Sequence, residues 1–222
     1  MIDPVGQDTA CPATADGNIG PMQLIFGSAS PFVRKVRIAL EILGLGERVT
    51  LVPVSTTPVA PAEELAAINP IAKIPVLVTA SGSRIYGSAV IADYLQTLAD
   101  APVLIPASGD ARWEVLHRQA LIDGMTEAAV MSRYEQLRPA ELRWAPWVDA
   151  QMEKVWRGLE AMEADSPALD GEPTIAEIAL ACLLGYLDFR FADRPWREDF
   201  PELARWFGVF DQRPEMVLTA PV

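Results

Sequence analysis

Two hydroxyls, Ser28 and Ser30, stand in the run Ser28-Ala29-Ser30-Pro31-Phe32-Val33-Arg34-Lys35-Val36-Arg37. An apolar strand-like segment, Leu24-Ile25-Phe26, leads into it, and a stretch of helical periodicity leads out. The turn therefore puts a hydroxyl at a helix N-terminus, where unpaired N–H groups and the helix dipole favour an anion. Pro31 suits the first helical position because it has no N–H to lose. A hydroxyl held there can stabilise a thiolate or another small anion. The simpler reading is that Ser30 is only a helix cap.

Further groups follow in order. Asn69-Pro70-Ile71-Ala72-Lys73-Ile74-Pro75-Val76-Leu77-Val78 places Pro75 just before a short β-branched strand, where its missing N–H does no harm. An X-Pro bond at such a place is a candidate for the cis form, with trans as the default. Arg84-Ile85-Tyr86 reads as another strand, and Gly87-Ser88-Ala89 opens a second helix from Val90 to Leu98. The order that positions these groups is strand, helix, strand, short helix, strand, strand, helix. Val33, Val36, Leu40 and Leu43 form the buried stripe of the first helix, while Arg34, Arg37 and Glu41 share another face. The two arginines read as surface or ion-pair residues.

A break lies near Ala99 to Asp110, punctuated by Pro102, Pro106 and Gly109. Beyond it the pattern is helical. Trp113, Leu116, Ala120, Leu121, Gly124 and Ala128 follow three-and-four spacing. Further helices are expected from Trp144 or Val148 to Met162 and from Pro201 to Arg213. Thr174 and Glu177 make a capping-box pattern ahead of an apolar helix, and its reading is a local fold signal.

The chain has 222 residues, half of them apolar, and a formal charge of −12. The excess is uneven. Residues 22–100 hold six basic and six acidic side chains, whereas 101–222 hold twelve and twenty-one. Such a balance argues against a nucleic-acid surface and against anionic membranes. The neutral N-terminal part is the better place for an anionic ligand. Cys11 and Cys182 are the only cysteines, and neither stands at zinc or C-x-x-C spacing, so no metal is expected. Cys182 sits in an all-apolar helical run and reads as an inert core residue; Cys11 reads as exposed. The pattern suits a reducing cytosol. No run approaches the 18 or so apolar residues of a membrane span. Residues 1–21 lack a signal peptide's pattern and read as a flexible extension, with Met22 at the start of the fold.

These motifs, in this order, resemble the glutathione transferases over roughly residues 22 to 220. Ser30-Pro31-Phe32 is similar to the family's active-site turn, and Lys73-Ile74-Pro75-Val76 to its cis-proline strand. In the helical part Arg112-Trp113, Asp123-Gly124-Met125, Arg133-Tyr134-Glu135, Thr174-Ile175-Ala176-Glu177 and Gly185 to Phe191 resemble a bacterial subgroup called YibF-like. The resemblance implies an α/β plus all-α architecture. A thioredoxin-like glutathione-binding domain (22–100), a linker (101–112) and an all-helical substrate domain (113–222) would follow the extension (1–21).

It also implies glutathione as co-substrate, a homodimer, and a cytoplasmic detoxifying transferase with lyase, isomerase or peroxidase variants. Ser30 would donate a hydrogen bond to the glutathione sulfur, with Ser28 as rival on the same turn. Unlike a cysteine there, serine forms no mixed disulfide with glutathione. Ile74 would pair with the peptide through its backbone if Pro75 is cis. Lys73 would meet a ligand carboxylate, or be an ordinary solvated lysine. Ser88 would hold the γ-glutamyl carboxylate, cap its helix, or both. Gly87 departs from the family's acidic residue and offers the ligand's amino group no charge. That departure favours the rival reading, a non-catalytic thioredoxin-like and helical binding module. The second substrate, a small hydrophobic electrophile, is expected between the domains, against Phe32 and the helix beginning near Trp113. His117 and Tyr134 are polar candidates there, each with a purely structural alternative.

Overall fold

A computed structural model describes residues 21–166 and 171–221. Cys11 and the rest of residues 1–20 lie outside it. The chain begins with β1 (Met22–Phe26), α1 (Pro31–Ile42), β2 (Val49–Pro53) and α2 (Glu63–Ile68). It continues with β3 (Val76–Val78), β4 (Arg84–Tyr86) and α3 (Ser88–Gln96). This is the expected order. The sheet runs β2-β1-β3-β4. β1 pairs parallel with β2 through the α1 crossover, and β3 is antiparallel to both β1 and β4. The result is a four-stranded mixed, thioredoxin-like sheet.

The stripe of α1 is buried as its spacing requires: Val33, Val36, Leu40 and Leu43 all lie in the core. The register brings three chain segments to one end of the sheet. β1 finishes there at Phe26, β3 starts there at Val76, and Val76 pairs with Tyr86 at the end of β4. The turn before α1, the Ile74-Pro75 step and Gly87-Ser88 therefore share that end.

The helical part comprises α4 (Gly109–Glu135), α5 (Ala145–Ala164), α6 (Ile175–Arg190), α7 (Pro201–Phe210) and α8 (Pro214–Leu218). α4 thus begins inside the segment read as linker. α6 is apolar on nearly every side and buried from Ile175 through Leu184. Its start is fixed locally. Thr174 Oγ accepts the Ala176 N–H at 3.2 Å, and the Glu177 carboxylate accepts the Thr174 N–H at 2.8 Å. Both halves of the capping box are present, as the sequence indicated.

One apolar core runs through both parts, with α1 packed on α6. Polar links between the two parts come from the face of α1 that carries Arg34 and Arg37, the residues read above as surface or ion-pair groups. Arg34 is only 6% exposed. It donates to the Met216 carbonyl at 3.0 Å and lies 3.6 Å from Asp211. Gly185 makes room for it, since a Cβ there would come within 2.4 Å of the guanidinium. Arg37 donates to the Leu218 carbonyl at 3.4 Å. Of the two readings, ion pairing holds for Arg34, because the second layer of helices covers the face that a lone α1 would show to water. Lys35 is deeper still, 1% exposed, with Nζ 2.7 and 2.8 Å from the Asp123 oxygens of α4. Burial pulls the Lys35 ammonium below its ordinary range, and Asp123 works against that pull. Cys182 is buried nearby, and burial pushes its thiol up to about 12, which keeps it protonated and inert.

Candidate active site

Ser30 is the N-cap of α1, with extended backbone angles. Its Oγ accepts the Val33 N–H at 3.3 Å. Capping uses an acceptor lone pair, so the hydroxyl proton remains available to donate. The cap and a sulfur-binding role are therefore compatible. The Ser30 N–H donates to the Gly27 carbonyl at 3.1 Å, which fixes the turn. Pro31 occupies the first helical position, and no acidic side chain lies in the first turn to neutralise the positive end of the helix.

This turn opens on a cleft of about 1610 Å³ between the sheet and the helices. Ser28, Ser30 and Phe32 line it, as do Lys73 and Ile74 from the loop before β3. The Ile74–Pro75 bond is cis. Among the described residues the Ile74 N–H and C=O have no protein partner. A ligand's extended backbone can pair with such a free edge. The Asn69 side chain donates to the Lys73 carbonyl at 2.8 Å and holds this loop in place.

Pro75, Gly87 and Ser88 do not line the cleft itself. They stand just behind it, at the end of the sheet where Gly87 follows the Val76–Tyr86 pair. Ser88 is the first residue of α3 and is 6% exposed. Gly87 has φ +79°, a conformation that side chains rarely adopt, although a Cβ there would meet no atom within 4 Å. A Gly87→Glu variant would therefore gain its charge together with backbone strain. Gly87→Ala isolates the strain. It should lower stability by about 1 kcal/mol, read as a drop in thermal midpoint of a few degrees. An unchanged midpoint would show that the glycine is not needed for its conformation.

The helix beginning near Trp113 does line the cleft, though not through its first turns. Trp113 is 67% exposed, and neither it nor His117 lines the cleft. His117 Nδ1 lies 3.3 Å from the Glu114 carbonyl of its own helix, on an exposed face. α4 contributes its C-terminal half instead, through Val130, Met131, Arg133 and Tyr134. A 27-residue helix is about 40 Å long. Its first turns therefore lie far from the end that reaches the site.

Tyr134 was foreseen, but Tyr186, Arg190, Trp144 and Trp147 were not. For Tyr186 and Arg190 the sequence signal was their place in the Gly185 to Phe191 stretch that resembles the family; Trp144 and Trp147 lie in none of those motifs. Burial raises both phenols above their ordinary range, Tyr186 to about 12, so both remain protonated hydrogen-bond donors at neutral pH. Glu135 accepts the Trp144 N–H at 3.0 Å and pairs with Arg138 at 2.7 Å. The Trp144 bond, ahead of the arginine, holds its carboxyl below the usual range.

A hydroxyl donor at a helix N-terminus, a free backbone edge and a large adjoining cleft describe a site for a thiol peptide and a second molecule. The family descriptions agree. Residues 29–98 match the glutathione S-transferase N-terminal domain, and residues 145–208 match its C-terminal domain. The GST-like protein YibF of Escherichia coli strain K12 is 33% identical over 203 residues, covering 90% of this chain and 98% of its own.

Solved structures extend the likeness. A glutathione transferase family member from Pseudomonas fluorescens Pf-5, with bound glutathione, is 43% identical with a TM-score of 0.89; the match covers 90% of this chain and 99% of that one. A glutathione S-transferase from Methylobacillus flagellatus KT, with glutathione bound, is 34% identical with a TM-score of 0.81, over 90% and 100% of the two chains. This chain belongs to the glutathione S-transferase family.

Proposed function

We propose that this protein binds glutathione and activates its thiol for attack on a small electrophile. The observation that carries the reading is the Ser30 hydroxyl at the N-terminus of α1, capped through its acceptor side and opening on the cleft. The bound glutathione of the Pseudomonas and Methylobacillus relatives supports it.

In this reading Ser30 donates to the sulfur. The donor and the helix N-terminus favour the thiolate over the thiol. Ile74 pairs with the peptide backbone of glutathione, and Ser88 with its N–H receives the γ-glutamyl carboxylate. Lys73 adds a point charge for a carboxylate. Phe32 and the helical wall take the electrophile. In a displacement, a sulfur–carbon bond forms as the bond to the leaving group breaks. The leaving group departs with the electron pair, and the thiol proton passes to solvent. Lyase, isomerase and peroxidase variants use the same activated thiol. We further propose a homodimer acting in detoxification in the cytoplasm. Among the described residues no helix is long and apolar enough to cross a membrane.

Gly87 carries the competing reading of a binding module without glutathione chemistry, because it presents no carboxylate to the ligand's ammonium group. Two measurements separate them. The protein should be retained on immobilised glutathione, and it should conjugate a generic aromatic electrophile above the uncatalysed rate. Retention without conjugation favours the binding module. Failure of both removes glutathione from the function.

A further inference from the structure

We propose that the helical wall of the cleft is an anion subsite, in which Arg133 and Arg190 hold a carboxylate of the second substrate. The electrophile would then be a small organic acid, not an uncharged hydrophobe. The inference rests on the glutathione reading above and names the substrate class of that site.

Arg133 and Arg190 both line the cleft, both residues are half-buried, and neither has a carboxylate within ion-pair distance among the described residues. That is notable in a chain with thirty acidic side chains. Arg133 donates to the neutral Gln136 amide oxygen at 2.7 Å. Arg190 lies over the Phe189 ring at 3.9 Å. A stacked guanidinium keeps its in-plane N–H groups for a planar, two-oxygen partner.

The charges of Arg190 and Arg133 both act on the Tyr186 phenol, which lines the same cleft. It adds a protonated hydroxyl to the same wall. The acids that line the cleft do not cancel this charge. Glu135 is committed to Arg138 and the Trp144 N–H. Glu127 lies on an exposed position nearly two turns before Arg133.

Each arginine also sits in the last turn of its helix, where a cation complements the dipole. Dipole pairing accounts for the sign of each charge. It does not require both to line one cleft. A chain of charge −12 repels anions at long range, so an anionic substrate needs locally concentrated cations of this kind.

The test uses pairs of glutathione conjugates that match in shape and differ in charge. S-(4-carboxybenzyl)glutathione is compared with its 4-carbamoylbenzyl amide, and S-(carboxymethyl)glutathione with its carbamoylmethyl amide. Affinities are measured by calorimetry on the full chain, with glutathione itself as reference. In at least one pair the acid should bind about tenfold tighter than the amide, the scale of a charge-assisted hydrogen bond. Arg133→Gln and Arg190→Gln should each shrink that ratio, and the double variant should bring it to about one. The acid-to-amide ratio within each protein cancels any change in glutathione affinity. Ratios near one in the parent protein, with glutathione bound, overturn the anion subsite alone. A ratio that persists in the double variant overturns the assignment to these arginines. Failure of glutathione and all its conjugates to bind overturns the proposed function and this inference with it.

Discussion

Ser30→Ala should lower glutathione-dependent kcat/KM by about 100-fold, the cost of losing one donor aimed at developing negative charge. The effect should fall on kcat more than on retention by immobilised glutathione, because the Ile74 edge and the Ser88 helix start would still hold the peptide. The pKa of the bound thiol should rise, which a titration of thiolate absorbance reads directly. Stability should change too, since the same side chain caps α1 through the Val33 N–H. Losing that cap costs about 1 kcal/mol. Ser30→Gly separates the two roles, because glycine at an N-cap costs only a few tenths of a kcal/mol, roughly. Both variants should lose turnover alike, while the glycine variant unfolds at a temperature nearer the parent's. Full activity in Ser30→Ala, together with its loss in Ser28→Ala, would move the thiol-activating role to Ser28.

Asp123→Ala should cost about 3 kcal/mol or more in urea unfolding, because it strands a buried ammonium. Lys35 is 1% exposed and both Asp123 oxygens lie within 2.8 Å of it. The pair ties α1 of the sheet domain to α4 of the helical domain, so its loss should also loosen the cleft between them. The pH dependence has a definite sign. Lys35 is lowered in the folded protein, chiefly by burial, so the unfolded chain binds its proton more tightly. Its contribution to stability therefore rises with pH between the folded and the ordinary lysine value. Removing Asp123 takes away the charge that opposes the lowering, so the window widens toward lower pH. A double replacement, Lys35→Met with Asp123→Leu, should recover most of the loss, as apolar pairs of similar volume commonly do. A double variant as unstable as Asp123→Ala would show that the aspartate matters for something other than this lysine.

The outline of the fold was legible in the sequence. The strand and helix order of the first domain followed from apolar periodicity with Pro and Gly punctuation, and the structure has that order. The Thr174–Glu177 capping box was legible because its partners lie three residues apart. Ser30 was legible as a cap for the same reason. The burial of Cys182 followed from a helix apolar on every side, which has no solvent face to offer. Arg34 was read as a surface or ion-pair residue, and it is an ion-pair residue that the second layer of helices buries. A spacing argument assigns a buried stripe and leaves the rest to water, and it cannot see a second layer. His117 was a candidate for the cleft with a structural alternative; it stands near the beginning of α4, whereas the far end of that helix reaches the site.

The sequence by itself determined what short-range physics controls: a hydroxyl and a proline at the start of α1, a proline before β3, a glycine ahead of α3, and the stripes that bury. Interactions over three or four residues set these features, so they survive reading one segment at a time. Tertiary structure decided which distant groups meet. Lys35 finds Asp123 across 88 positions, and Arg133 joins Arg190 and Tyr186 on one wall only because α4 packs against α6. Those meetings depend on how two apolar faces fit together. That fit is a property of the whole packed core, which no single helix encodes.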